Sequence, residues 1–254
     1  MCIRDRVNIV RKRFGLLGRN ISYSFSKGYF TDKFNTENFA GCTYENFDIP
    51  AITAFTEIIK NTSDLKGLSV TIPYKEVVMP FLDKLSKKAE LIGAVNTIKV
   101  TKKGKLKGYN TDYYGFKKSL EPLLLPHHKK ALILGTGGAS KGVAFALNEL
   151  NISYVFVSRE AKENAIDYNQ INAKTFENYQ IIINATPVGT SPNEDVCPLL
   201  PYEFFTDKHI AFDLIYNPAE TQFLKKAKQR GAQIKNGLDM LIFQAEKAWK
   251  IWNK

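Results

Sequence analysis

Lys130-Ala131-Leu132-Ile133-Leu134-Gly135-Thr136-Gly137-Gly138-Ala139-Ser140 is the stretch on which the fold turns. Its first five residues make an apolar run of strand length. Gly135 to Gly138 then open a periodic segment that reads as a helix to about Leu150. Strand, glycine turn and helix in that order are the context a dinucleotide fingerprint requires. Gly135 allows the tight turn, Gly137 lets the backbone approach a pyrophosphate, and Ser140 stands where a third glycine would keep helix and strand close. The free N–H groups and macrodipole of the helix start favour an anion there. A βα turn without a ligand is the bland alternative for one glycine pattern taken alone.

The rest of the second half repeats the theme. Tyr154–Ser158, Ile181–Asn184 and Ile210–Leu214 read as buried strands, and a helix runs from about Glu220 to Arg230, closed by Gly231. Strands and helices alternating at this spacing imply a doubly wound, Rossmann-like α/β nucleotide domain. The second strand ends in Ser158-Arg159, and a cation there suits the 2′-phosphate of NADP, while the adjacent Glu160 is the group an NAD site uses for its ribose. The first half reads as a mostly parallel α/β domain. Strands are expected at Phe14–Gly18, Leu68–Ile72 and Val95–Val100, with helices at Lys27–Phe39, Pro50–Ile59 and Val77–Leu85. A turn at Lys103-Gly104-Lys105 leads into Leu106–Tyr109. The tail, Leu238 to Trp252, is one amphipathic helix whose apolar face the nucleotide half does not require, so it returns to the first domain.

The 254-residue chain carries a net charge of +11, which raises nucleic acid, an anionic surface or small acidic ligands as partners. Its lysines are scattered in pairs such as Lys87-Lys88, Lys102-Lys103, Lys117-Lys118 and Lys225-Lys226, a pattern of solvated faces that speaks against nucleic acid. Cys2, Cys42 and Cys197 form no CxxC pair, which argues against zinc and a disulfide framework and fits a reducing cytoplasm. No metal cluster, membrane span or secretory signal is visible, and His127-His128 reads as linker. Met1–Arg6 has no core pattern and stays outside the fold reading.

Further stretches fall in a fixed order: Gly18-Arg19-Asn20-Ile21-Ser22-Tyr23-Ser24, Ser69-Val70-Thr71-Ile72-Pro73-Tyr74-Lys75-Glu76, Gly93-Ala94-Val95-Asn96-Thr97 and Gly108-Tyr109-Asn110-Thr111-Asp112. Asn184-Ala185-Thr186-Pro187-Val188-Gly189, Asp213–Pro218 and Asn236–Leu241 with Gln244-Ala245 follow. Together they resemble the shikimate dehydrogenase family from about Phe14 to Trp252. The resemblance implies reversible, NADPH-dependent reduction of 3-dehydroshikimate to shikimate, by a monomer or homodimer. It implies a substrate domain of residues 1–112 and 237–254 and an NADP domain of residues 113–236. Ser22 and Ser24 would bind the substrate carboxylate, with Tyr216 near it. Thr71, Asn96, Asp112 and Gln244 would bind ring hydroxyls, and Lys75 and Asp112 would be the catalytic pair. Gly135, Thr136, Gly137, Gly138, Ala139, Ser158, Arg159, Thr186, Leu214 and Gly237 would hold the cofactor. The chain departs from the family at Ile21, usually His, and at Ser69, usually Asn. Neither position carries the proton transfer.

The chemistry asks for such residues. Reducing a ketone needs a hydride on one face and a proton for the developing alkoxide, and a lysine beside that oxygen supplies both proton and positive charge. A lysine titrating near its usual value of about 10.4 is an effective acid and a poor base. Taken singly, Lys75 reads as a first-turn surface lysine, Asp112 as a helix cap and the serines as loop residues. Two rival functions remain on the sequence. One is an NAD-preferring quinate/shikimate dehydrogenase, to which Glu160 points. The other is a non-catalytic shikimate sensor, which should lack the lysine or the aspartate.

Overall fold

The computed structural model describes residues 10–22, 24–159 and 165–254, so Met1–Arg6, Tyr23 and Glu160 lie outside the described residues. The chain divides into two compact units, Met1–Asn110 with Ala248–Lys254, and Thr111–Lys247.

The first unit runs β1 (Lys12–Gly18), α1 (Phe25–Thr36), β2 (Cys42–Asp48), α2 (Phe55–Asn61), β3 (Leu65–Val70), α3 (Tyr74–Val77), β4 (Lys84–Leu85), α4 (Lys87–Ile92), β5 (Thr97–Val100) and β6 (Leu106–Tyr109). The strands form one six-stranded sheet in the order β2-β1-β3-β5-β6-β4. The sheet is mixed, because β5 runs antiparallel to both β3 and β6 while the other pairings are parallel. The expected helix over Val77–Leu85 is not there. Pro80, which has no N–H to give, sits in a 3₁₀ turn, and Lys84-Leu85 instead pairs with Lys107-Gly108 as β4. The Asp83 carboxylate fixes this arrangement by accepting the Leu106 N–H at 2.7 Å and the Lys105 ammonium at 2.7 Å.

One face of this sheet carries an aromatic cluster. Phe14 of β1 lies 5.0 Å from Trp252 and 5.3 Å from Trp249 between ring centroids, and Phe30 of α1 stacks on Tyr44 of β2 at 4.7 Å. The Trp252 indole donates its N–H to the Ile98 carbonyl at 2.9 Å and lies over Gly67, where a Cβ would fall inside the ring. The other face buries Leu17, Leu68, Val70, Val78, Val95 and Ile98.

The second unit has α5 (Asp112–Leu120), β7 (Lys130–Leu134), α6 (Gly138–Glu149), β8 (Ser153–Ser158), β9 (Ala165–Asp167), α7 (Ala173–Asn178), β10 (Ile181–Asn184), β11 (Ile210–Asp213), α8 (Gln222–Gln229), β12 (Gln233–Lys235) and most of α9 (Leu238–Trp252). Its sheet, β12-β11-β10-β7-β8-β9, is parallel throughout, and the order reverses between β7 and β10 as a doubly wound fold requires. Fully buried Leu132, Ile182 and Ala211 on neighbouring strands pack with Phe176 and Phe223. Among the described residues, no helix is long and apolar enough to cross a membrane and no cluster of His, Cys, Asp and Glu could hold a metal.

The histidines of the second unit are structural. The His128 Nδ1 accepts the Leu125 N–H at 2.9 Å and its Nε2 faces the Lys208 carbonyl at 3.1 Å, which His127 also reaches at 3.2 Å. The His209 Nδ1 accepts the Thr206 N–H at 3.0 Å while its Nε2 donates to the Phe176 carbonyl at 3.0 Å. An amide can only donate and a carbonyl can only accept, so each ring is held neutral, with its proton on Nε2. Burial first, then repulsion from neighbouring histidines, pushes the pKa of His128 and of His209 below the ordinary imidazole value.

Two outcomes are expected. Gly67→Ala drives a methyl group into the Trp252 ring and should cost about 1–3 kcal/mol, the usual price of overpacking, read from urea unfolding; an unchanged midpoint would refute the contact. Lowered histidine pKa values mean that the unfolded chain takes up protons that the folded chain refuses. The stabilisation is complete above the unfolded value of about 6.5 and shrinks as pH falls through it. Comparing unfolding free energies at about pH 7.5 and about pH 5.5, the double variant His128→Asn/His209→Asn should lose less on acidification than the parent. Equal losses would remove the histidines from the pH response.

Candidate active site

Topology gathers chemistry at one edge of the first sheet. β1 and β3 end there, at Gly18 and Val70. β5 starts there because it is antiparallel, and β6 ends there at Tyr109. The loop after β1 is fixed by Asp48, whose carboxylate accepts the N–H groups of Asn20 at 2.9 Å and Ile21 at 3.0 Å, while Asn46 donates to the Ile21 carbonyl at 2.9 Å. This leaves Ser22 exposed and makes Ser24 the N-cap of α1, accepting from the Ser26 N–H at 3.2 Å. Thr71 follows β3, its N–H bound to the Leu17 carbonyl at 2.9 Å. Lys75 lies in the short α3, with its own carbonyl accepting the Val95 N–H at 2.7 Å. Asn96 is 3% exposed, with its N–H on the Tyr109 carbonyl and its Oδ1 accepting from the Thr97 hydroxyl at 3.1 Å. Ser22, Ser24, Thr71, Lys75 and Asn96 therefore come from three separate stretches of sequence onto one edge.

The carboxyl edge of the second sheet holds a cavity of about 330 Å³. Of the residues expected to hold a cofactor, Gly135, Thr136, Ser158, Arg159 and Thr186 line it, joined by Val157, Tyr168, Pro187 and Val188, which the sequence reading did not assign to the cofactor. Gly135 has φ +101°, a left-handed conformation that L side chains rarely adopt. A Cβ on Gly137 would meet nothing within 4 Å, so the space in front of this turn is open. Gly138 starts the 12-residue α6, and no side chain caps it, which leaves its first N–H groups for an anion. Ser140 is fully buried and donates to the Gly137 carbonyl at 2.6 Å, doing the close-packing work of the third glycine. These features fit a dinucleotide pyrophosphate. Gly137, Gly138, Ala139, Leu214 and Gly237 are not among the residues that line the cavity. Gly237 and Leu214 are neighbours, since a Cβ on Gly237 would run into the Leu214 carbonyl, and the Gly237 N–H binds the Ile215 carbonyl at 3.0 Å.

A buried polar network shapes the far wall. Asn184 ends β10 and accepts both the Thr186 N–H at 3.1 Å and its hydroxyl at 2.6 Å, while donating to Val188 at 3.2 Å and to Asp213 at 3.1 Å. Asp213, fully buried at the end of β11, also accepts the Ile215 N–H at 3.0 Å and the Thr221 hydroxyl at 2.6 Å. Burial outweighs these donors and pushes its carboxyl up to about 6. The sequence signal for this network was a polar residue closing each of two apolar runs, Ile181-Ile182-Ile183-Asn184 and Ile210-Ala211-Phe212-Asp213.

The remaining expected residues lie in the second unit. Asp112 is buried at the start of α5, and Thr111 beside it donates to Gln244 of α9 at 3.4 Å. Gly115 lets these helices meet, because a Cβ there would strike the Met240 carbonyl. Tyr216 is half-buried in the loop after β11.

Comparison with known proteins agrees with this architecture. The family model described as the shikimate dehydrogenase substrate binding domain matches residues 16–98. A shikimate dehydrogenase (NADP(+)) of Methanosphaera stadtmanae is 37% identical, covering 94% of this chain and 90% of that protein. The crystal structure of shikimate dehydrogenase from Aquifex aeolicus superposes with TM-score 0.85 at 33% identity, covering 97% of this chain and 94% of that one. That of shikimate 5-dehydrogenase from Thermus thermophilus, in complex with NADP(H) and shikimate, gives 0.84 at 31% identity over 95% and 93%. With relatives this similar along nearly its whole length, the chain belongs to the shikimate dehydrogenase family.

Proposed function

We propose that the chain is an NADP-dependent shikimate dehydrogenase that reduces 3-dehydroshikimate to shikimate reversibly. The observation that carries this is the open glycine turn with Arg159 on the same cavity, in a chain 37% identical over 94% of its length to an NADP(+) enzyme of that name. NADPH, when bound, would supply the hydride for the carbonyl carbon. Lys75 gives its proton to the oxygen and offsets the negative charge that builds there. Asp112 orients the ammonium and holds a ring hydroxyl; Thr71, Asn96 and Gln244 hold the others. Ser22 and Ser24 bind the substrate carboxylate, with Tyr216 near it. The Gly135–Ala139 turn takes the pyrophosphate on its N–H groups, Ser158 and Arg159 take the adenosine end, and Thr186, Leu214 and Gly237 complete the cofactor site. Residues 1–112 with 237–254 serve the substrate and residues 113–236 the cofactor, in a cytoplasmic monomer or homodimer. Convergence of the serines, Thr71, Lys75 and Asn96 on one sheet edge supports this assignment.

A spectrophotometric assay with shikimate and each oxidised nicotinamide tests it. Turnover with NADP should exceed that with NAD. The reverse order would favour the NAD-preferring rival, and no turnover with either would favour the sensor. Lys75→Ala should cut kcat by about two to four orders of magnitude, the usual worth of general acid–base catalysis, with a far smaller change in KM. Near-normal turnover in that variant would take Lys75 out of the mechanism.

A further inference from the structure

We infer that Tyr168 is a determinant of NADP over NAD, its phenol donating a hydrogen bond to the 2′-phosphate beside Arg159. This rests on the dehydrogenase reading above. β8 and β9 pair in parallel with Ser158 opposite Asp167, so the residue that follows each strand, Arg159 or Tyr168, emerges at the carboxyl edge. Both line the 330 Å³ cavity that the glycine turn opens. β8 and β9 are adjacent strands of the sheet. The wall next to Arg159 therefore includes β9 and the turn that follows it.

That turn is held rigidly. Asp167 accepts the Asn169 N–H at 2.8 Å, and the Gln170 side chain accepts the Asp167 N–H at 2.7 Å, a reciprocal cap on the Tyr168–Gln170 turn. The carboxylate nearest Arg159 across the ladder is thereby committed to backbone, and the residue it sets in place is the tyrosine. Tyr168 packs its ring against the hydrophobic core of the second unit, with Val155, Ile166 and Tyr202 also bordering that core. Among the described residues its hydroxyl has no hydrogen-bond partner. Burial raises its pKa above the usual phenol value, with Arg159 pulling the other way, so the group stays a proton donor at neutral pH. A half-buried donor without a partner, next to a guanidinium and on an anion-binding cleft, matches a phosphate oxygen. A ribose hydroxyl can supply a partner of its own and gains less from a second donor.

Isothermal titration of 2′,5′-ADP and of 5′-AMP, with NADP and NAD alongside, separates the possibilities. Tyr168→Phe keeps the ring and removes the donor. It should weaken 2′,5′-ADP and NADP by about tenfold or more, as expected for a hydrogen bond to a charged group, and leave 5′-AMP and NAD within about twofold. Its thermal midpoint should match the parent, while its KM for NADP rises. Unchanged affinity for 2′,5′-ADP would overturn the inference, as would an equal loss for both fragments, which would make the residue structural. Should the parent itself bind 5′-AMP as tightly as 2′,5′-ADP, the NADP assignment falls, and this inference with it; that outcome is read without any variant.

Discussion

The contact of Trp252 with Gly67 and Ile98 decides what kind of chain this is. The indole occupies the space over a strand that only glycine leaves free, and its N–H closes on a carbonyl 154 positions earlier. Burying a tryptophan is worth about 3–5 kcal/mol on truncation. The opposing entropy of closing so long a loop grows only slowly, by about 0.6 kcal/mol for each doubling of length. The packing term wins, and the tail becomes part of the N-terminal core. Thr111–Lys247 is then a self-contained insertion with its own sheet and its own hydrophobic centre. Every later feature, from the sheet edge of the first unit to the open cleft of the second, presupposes that division.

Within the insertion, Asp213 shows what the cleft costs. A carboxylate with three donors would be expected to ionise easily, yet its pKa is pushed up to about 6, so desolvation exceeds what the donors return. An apolar residue would fill the same volume without that penalty. What it could not do is hold Asn184, the Ile215 N–H and Thr221 at once. Asn184 in turn holds Thr186 and Val188, so the penalty is offset by a fixed cavity wall.

Much of this was legible because it is local. The glycine turn between Leu134 and Gly138, the three apolar strands around it and the whole tail helix follow from periodicity and from glycine's conformational freedom, which neighbouring residues alone determine. The misread segment, Val77–Leu85, has apolar residues at helical spacing, but its conformation is set by Asp83 reaching Lys105 and Leu106 across the sheet. Tyr168 was passed over for the same reason. Nothing near it in sequence marks it, and its place beside Arg159 exists only once β9 pairs with β8. Asn184 and Asp213 were visible as polar ends of apolar runs, but their mutual hydrogen bond spans 29 positions and no local pattern encodes it. The sites were legible in proportion to how near their residues lie to one another along the chain.

The two departures from the family pattern bear on how much freedom the first unit has. Ile21 is 5% exposed, and its methyl group lies where a Cβ on Gly18 would fall, so the residue is part of the packing under the β1 loop. Its backbone, and not its side chain, meets Asp48 and Asn46. An apolar residue can therefore replace an imidazole there without loosening the loop that carries Ser22, because the loop is held by main-chain groups that any residue supplies. Ser69 is equally enclosed, paired with Leu16 on one side and Thr97 on the other. Its backbone pairing holds β3 between β1 and β5 at the edge where Thr71 and Asn96 emerge. Both substitutions change what fills the interior while the backbone geometry that presents the edge residues is kept, and it is that geometry on which recognition at the edge depends.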